Sequence, residues 1–251
     1  MERVPVWDHL KGVLDRRGVG YLVLVDPDGY TPDRLEQLID IALDADVDAF
    51  LVGGSYLFSD RLDDTVLILK KTTDRPVILF PGSASQLSKY ADGLLFLSLI
   101  SGRNPQFLIE EHVRAAPVIK RMGLEPVPTG YMLIAGGTET AVEFISDTRP
   151  IPAGKPDLAA VHALAAEFLG MKLLYLESGS GASRSVPEKM IATVKQWSTL
   201  PLMVGGGIKT PQAAASKVKA GADFIVTGNV LETSETFGLV KEIALAIHEA
   251  V

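Results

Sequence analysis

Cysteine is absent from the 251 residues, which excludes disulfides, thiolate metal sites and a cysteine nucleophile. Positive charge is also scarce: 24 Lys and Arg stand against 31 Asp and Glu, a formal net charge of −7, and the basic residues are scattered. A nucleic-acid or anionic-membrane partner needs a basic face, so neither is expected. An anionic small molecule would have to be held by helix N-termini, backbone N–H groups, a metal ion or single basic side chains. Long apolar runs are missing too; "GLLFLSLI", among the longest, is far too short to span a bilayer, so no transmembrane segment is expected. The start, "MERVPVWDHLKGVLD", reads as a short amphipathic helix and not as a signal peptide, which makes a cytoplasmic location the expectation. No Walker lysine, GxSxG elbow, complete GxGxxG or HExxH occurs. His9, His112, His162 and His248 lie in helical patterns without evident partners and read as surface or packing residues. "DDTVL" (63–67) lacks the second acidic group of a diphosphate-binding aspartate-rich helix and reads as a solvated face.

What remains is a regular alternation. Short apolar runs ("YLVLVD", "AFLVGG", "VILFPG", "LLFLSLI", "EPVPTGYMLI", "KLLYLE", "LMVGGG", "DFIVTG") are separated by helical segments such as "TPDRLEQLIDIALDA" and "KPDLAAVHALAAEFLG". Several helices open on Thr-Pro, Asn-Pro or Val-Pro, which suits proline in the first turn. Continuous apolar strands between helices predict a buried parallel sheet, and eight such units in about 250 residues have the size of one (β/α)8 TIM barrel. A single domain over residues 1–251 is expected, with a doubly wound open sheet as the competing architecture. One unit is irregular. "PGSASQLSKYADG", between the third and fourth strands, is too short for a crossover helix and its loops, so the third helix should be missing or reduced to a turn. The connection after the fifth strand, "AGGTETAVEFISDTRPIPAGKPD", is long and has the composition of a lid.

Unusual polar and glycine residues fall at one end of the runs, and in a parallel barrel all strand C-termini share the face where sites are built. "VGGGIKTPQAA" after strand seven and "VTGNVLE" after strand eight predict a phosphate cradle of backbone N–H groups. "YLESGSGAS" (175–183), after strand six, adjoins them and adds one carboxylate, Glu177. Across the mouth, Asp26 in "VDPDG" and Ser55 in "VGGS" are hard oxygen ligands suited to a Mg2+ that keeps waters and takes a ligand's phosphate oxygens. Asp26 capping an Asp-Pro turn explains the same residues equally well. Asp44, Asp46 and Asp48 precede a strand, lack the glycine of a calcium loop and belong to the opposite, stability face; "LDADVDA" there reads as a solvated turn.

In this order, "VDPDG", "LVGGS", "VILFPGS", "LSLISGRNPQFLIEEHVRAAP", "PTGYMLI", "YLESGSGA", "VGGGIKTP" and "IVTGN" cover nearly the whole chain. The combination resembles the geranylgeranylglyceryl phosphate synthase family, which includes the bacterial heptaprenylglyceryl phosphate synthases. The "SLISGRNPQFLI" stretch makes it similar to the second of the family's two groups. The resemblance implies a modified barrel lacking its third helix. It implies transfer of a prenyl group from geranylgeranyl diphosphate to sn-glycerol 1-phosphate, giving an ether lipid precursor and diphosphate. It implies Mg2+ on Asp26 and Ser55. Glycerol 1-phosphate would lie on Tyr175, Leu176, Glu177, Ser178, Gly179, Ser180, Gly181, Gly206, Gly207, Gly228 and Asn229. A homo-oligomer, dimer or hexamer, and transient membrane contact for the lipid product are implied as well. One position departs from the family pattern: Gly29 stands where many relatives carry a lysine, and Lys209 or Arg103 is the candidate to replace that charge.

Within that chemistry Glu177 is the candidate general base or hydroxyl-orienting group, with a cap or an ion pair as its structural alternative. Tyr175 could bond the substrate or face the developing cation, or simply pack. Tyr131 and Phe107 are candidates for an apolar trench holding the prenyl tail. The competing functions are a sugar-phosphate isomerase or aldolase on the same barrel and a non-catalytic phosphoester-binding barrel. An aldolase needs a Schiff-base lysine at a strand centre, where the sequence offers none.

Overall fold

Strand residues that alternate between two apolar environments determine the architecture. The computed structural model, which describes residues 3–231 and 236–251, closes eight parallel strands into a barrel in the order β1 to β8. They are β1 (Gly20–Val25), β2 (Ala49–Val52), β3 (Val77–Leu79), β4 (Gly93–Leu99), β5 (Glu125–Leu133), β6 (Leu173–Glu177), β7 (Leu202–Gly205) and β8 (Phe224–Thr227). Successive side chains of a strand point to opposite faces. Tyr21, Val23 and Val25 therefore pack outward with Phe50, Leu174 and Leu176, while Leu22, Leu51, Leu173 and Tyr175 fill the interior. The same parity turns Glu177 inward at the top of β6. Closure leaves no sheet edge, and the open-sheet alternative falls with it.

Nine α-helices connect and cap the strands among the described residues: α1 (Val6–Arg17), α2 (Pro32–Asp44), α3 (Leu62–Thr72), α4 (Glu111–Met122), α5 (Ala141–Ser146), α6 (Pro156–Phe168), α7 (Glu188–Trp197), α8 (Pro211–Lys219) and α9 (Leu239–His248). A π-helical turn, Gln106–Glu110, leads into α4. α1 forms where the sequence predicted it, but its place is tertiary. Val6, Leu10 and Val13 join the interior cluster, so the helix closes the bottom of the barrel. Its first turn has no side-chain cap of its own; the Glu125 carboxylate on β5 accepts from Val6 N (2.7 Å) and Trp7 N (3.0 Å) instead.

Residues 80–92, between β3 and β4, form turns and no helix, as the short linker predicted. Asp92 anchors the end of this segment. Its carboxylate accepts from Val77 N (2.8 Å), Val4 N (3.0 Å) and Lys70 Nζ (2.8 and 2.9 Å), and both members of the ion pair are buried. Removing one partner of a buried pair leaves an uncompensated charge. Asp92→Ala is expected to lose about 3–5 kcal/mol in urea unfolding, a larger effect than truncating an exposed ion pair.

Two local expectations change. The connection after β5 contains α5 and is pinned by the Ile134–Ile151 bridge, so it is a folded flap and not a bare loop. "LDADVDA" is not uniformly solvated: Asp48 is buried and accepts from Tyr21 N at 2.9 Å, while Asp46 pairs with Arg17 and Arg75. These acidic residues brace the bottom of the barrel, the face assigned to stability.

Candidate active site

A buried carboxylate stands at the top of β6, beside an opening that replaces a side chain. Glu177 pairs in register with Leu133 on one side and Gly205 on the other, and it is only 6% exposed. A Cβ at Gly205 would lie 2.5 Å from the Tyr175 hydroxyl and 2.7 Å from Glu177 Oε2, so glycine here makes room for both groups. Gly206 has φ +75°, and a Cβ there would collide with Glu177 Oε1. Glu177 Oε1 accepts from Gly179 N at 2.9 Å, which fixes the carboxylate's orientation. Burial pushes its pKa up to about 7, against the opposing pull of the Tyr175 hydroxyl and the Gly179 N–H. The Tyr175 and Tyr131 hydroxyls are pushed well above the usual phenol range, by burial first and then by the Glu177 charge. Both are therefore protonated donors. The Tyr175 hydroxyl is fully buried beside the Glu177 carboxylate, short of regular hydrogen-bond geometry.

Around this centre lies a cavity of about 840 Å3, and the strand-end loops line it: Ser180 and Gly181 after β6, Gly206 and Gly207 after β7, Gly228 and Asn229 after β8. Behind the β7 loop, Thr210 caps α8 by accepting from Ala213 N at 3.2 Å. Ser180 donates to the Asn229 side chain, joining the β6 and β8 loops. Three residues of the "YLESGSG" stretch do not face the cavity. Leu176 points outward into the helix layer. Ser178 is fully buried, with its N–H on Gly205 O at 3.3 Å. Gly179 spends its N–H on Glu177. Parity and local hydrogen bonding explain the difference, since a contiguous motif cannot present every residue to one side.

Asp26 and Ser55 line the same cavity from β1 and β2. Asp26 Oδ1 accepts from Asp28 N (2.9 Å), so the turn-capping role expected as an alternative is real. Oδ2 lies beside Gly54 at the cavity wall, and burial raises the pKa of the group. Among the described residues no cluster of three or more His, Asp or Glu could hold a metal unaided. One carboxylate oxygen and one hydroxyl fit a hard cation that completes its shell with water and ligand oxygens. Of the two candidates for the charge missing at Gly29, Lys209 lines the cavity. Arg103 does not: its guanidinium donates to the Gly102 (2.6 Å) and Ser101 (3.4 Å) carbonyls.

A narrow apolar trench continues from the cavity along the gap left by the missing helix. Leu87, Leu94, Phe96, Phe107 and Ala115 line it, and Tyr131 lies at its inner end. His112 also lines it, with its ring edge-on to Phe96 at 4.6 Å. The other histidines do not lack partners: His9 Nε2 lies 2.8 Å from Asp48 O, and His162 Nδ1 2.6 Å from Leu158 O. Sequence reasoning placed Gly205 in the glycine run after strand seven without its role in making room for Tyr175 and Glu177, and it missed Phe80, which nothing local distinguished.

A mouth lined by glycine loops and one buried carboxylate, adjoining an apolar trench, defines a (β/α)8 barrel with its site at the strand C-termini. None of the eight strands contains a lysine, which leaves the aldolase alternative without a nucleophile at a strand centre. Residues 12–247 match the PcrB family, and the chain belongs to that family. It is 46% identical over 240 residues to the geranylgeranylglyceryl phosphate synthase of Chitinophaga pinensis, covering 94% of each chain. To the protein of the same name from Methanosphaera stadtmanae it is 47% identical over 230 residues, 91% of this chain and 93% of that one. Among solved structures, (S)-3-O-geranylgeranylglyceryl phosphate synthase from Thermoplasma acidophilum, in complex with its substrate sn-glycerol-1-phosphate, matches with a TM-score of 0.90 at 33% identity. That match covers 99% of this chain and 100% of the other. Tryptophan synthase subunit alpha from Legionella pneumophila, at 19% identity and a TM-score of 0.60, shares the fold alone.

Proposed function

We propose that this protein transfers the geranylgeranyl group of geranylgeranyl diphosphate to the 3-hydroxyl of sn-glycerol 1-phosphate, releasing diphosphate. The observation that carries the proposal is Glu177: a buried carboxylate, oriented by Gly179 and next to glycine loops, in a polar cavity that adjoins an apolar trench. The phosphate end rests on the loops of Gly181, Gly206–Gly207 and Gly228–Asn229. The hydroxyl end reaches Glu177, which orients it and takes its proton. Tyr175 lines the cavity with its O–H beside the Glu177 carboxylate, and the tail lies in the trench past Tyr131 and Phe107.

A dianionic phosphate and a diphosphate must enter a cavity whose charged lining consists of Asp26, Glu177 and Lys209. That imbalance calls for added positive charge. Mg2+ held by Asp26 and Ser55 would supply it and ease the departure of the diphosphate. Lys209 offers its ammonium to the same anions from the β7 loop. Association into a homo-oligomer is supported by apolar side chains left exposed on the helix layer, among them Val113 on α4 and Phe168 at the end of α6. No helix among the described residues is long and apolar enough to cross a membrane.

Incubation with labelled sn-glycerol 1-phosphate and prenyl diphosphates of graded length, with and without Mg2+, tests the assignment. An ether product that forms best with the twenty-carbon donor is the expected result; cleavage or isomerisation of the phosphoester alone would replace it. Because the base acts deprotonated, kcat/KM should rise with pH and level off above about 7, the value to which burial raises Glu177. A profile flat between pH 5.5 and 8.5 would remove Glu177 from the proton transfer.

A further inference from the structure

Six residues line both the polar cavity and the apolar trench: Gly54, Ser55, Phe80, Tyr131, Val142 and Ile145. If the diphosphate lies in the cavity and the tail in the trench, the carbon joining them sits at this shared boundary. Only two of the six carry a ring. Phe80, which follows β3 directly, stacks on Tyr175 with centroids 5.3 Å apart and an interplanar angle of 25°. It is tilted against Tyr131 at 6.0 Å, and Tyr131 meets Tyr175 edge-on at 5.5 Å. The three rings make one aromatic wall next to Glu177, and Phe80 alone carries no hydroxyl.

We propose that Phe80 is a catalytic residue whose π-electrons stabilise the positive charge developing on the allylic carbon. The role rests on the prenyl-transfer function proposed above. In the step, the bond between that carbon and the diphosphate oxygen breaks, and both electrons leave with the oxygen. A lone pair of the glycerol 3-hydroxyl forms the new carbon–oxygen bond, and its proton passes to Glu177. Between breaking and forming, the carbon is electron-poor. A hydroxyl oxygen held against that carbon would compete with the glycerol hydroxyl for it, whereas the face of an aromatic ring attracts a cation without displacing the nucleophile. Stacking on Tyr175 fixes the ring's orientation, so little reorganisation accompanies charge development.

The test replaces Phe80, in the full chain, by mono-, di- and trifluorinated phenylalanine. Ring shape is nearly kept while the negative potential of the face is drained stepwise. Single-turnover ether formation is followed with both substrates saturating, and affinity for the prenyl diphosphate is measured separately. The logarithm of the rate should fall steadily with each fluorine, by about 5- to 30-fold across the series, with affinity nearly constant. Rates within about threefold of wild type along the whole series would overturn the cation role and leave Phe80 a packing residue, with the proposed function intact. If the wild-type chain forms no ether at all, the proposed function fails and this role with it.

Discussion

Glu177→Gln is expected to slow single-turnover ether formation by roughly 10²–10⁴-fold with both substrates saturating, while glycerol phosphate binding changes little. Glutamine keeps an oxygen to accept from Gly179 N, so the local hydrogen bond survives and only the ability to take a proton is lost. The same substitution carries a stability signature of opposite sign. The folded-state pKa of Glu177 is raised from 4.5 to about 7, so folding is favoured while the group stays protonated. That contribution is fully present below about pH 4.5 and lost as pH rises through about 7. At pH 8 the folded wild type carries the cost of a buried charge, at most about 3 kcal/mol for a shift of this size. Glu177→Gln removes it, so the variant should unfold at higher denaturant than wild type at pH 8 and at the same denaturant near pH 4. A slower yet more stable enzyme at alkaline pH separates a proton acceptor from a structural cap, whose loss would destabilise at every pH. A rate within about threefold of wild type would leave the proton to water.

The second large effect belongs to Asp26. Asp26→Asn should abolish turnover, a loss of at least about 10³-fold, because electrostatic help to a leaving diphosphate accounts for several kcal/mol of the barrier. Asparagine can still accept from Asp28 N, so the turn after β1 is kept and the missing charge is isolated. Glycerol phosphate affinity, measured by calorimetry, should stay nearly unchanged, since the cradle proposed for it lies on the loops of β6 to β8. A readout independent of turnover is Mn2+ binding in the presence of inorganic diphosphate, followed by electron paramagnetic resonance. Wild type should bind and the variant should not. Equal loss of metal and glycerol phosphate binding would instead mean that the mouth had collapsed, and normal turnover would move the metal elsewhere.

Fold and site were legible to different depths. Periodicity carried the fold because a strand buried on both faces must be apolar throughout and a crossover needs a minimum length of chain. That is why eight strands, their parallel direction and the missing helix after β3 could be read directly. The anchors of these features were not readable. Asp92, an unremarkable acid in "ADG", is what ties down the helix-free segment, through partners 15, 22 and 88 residues away in the chain. α1 was visible as an amphipathic segment, but amphipathicity states that a face is buried and not what buries it; the barrel floor supplied that.

For the site, the sequence determined the chemistry on offer: glycine loops at successive strand ends, one carboxylate after β6, one carboxylate and one hydroxyl after β1 and β2. It did so because backbone approach and hard-oxygen ligation need particular residue types. Only the tertiary structure decided which of those residues face the same space. Strand parity turned Tyr175 and Glu177 inward and Leu176 outward, and local hydrogen bonds took Ser178 and Gly179 out of the lining. Burial raised Glu177 into the range of a useful base, which no local pattern encodes, because desolvation is a property of everything packed around a group. Phe80 shows the same limit: its role depends on two cavities meeting at one ring, and that meeting exists only once β3, β5 and β6 are side by side.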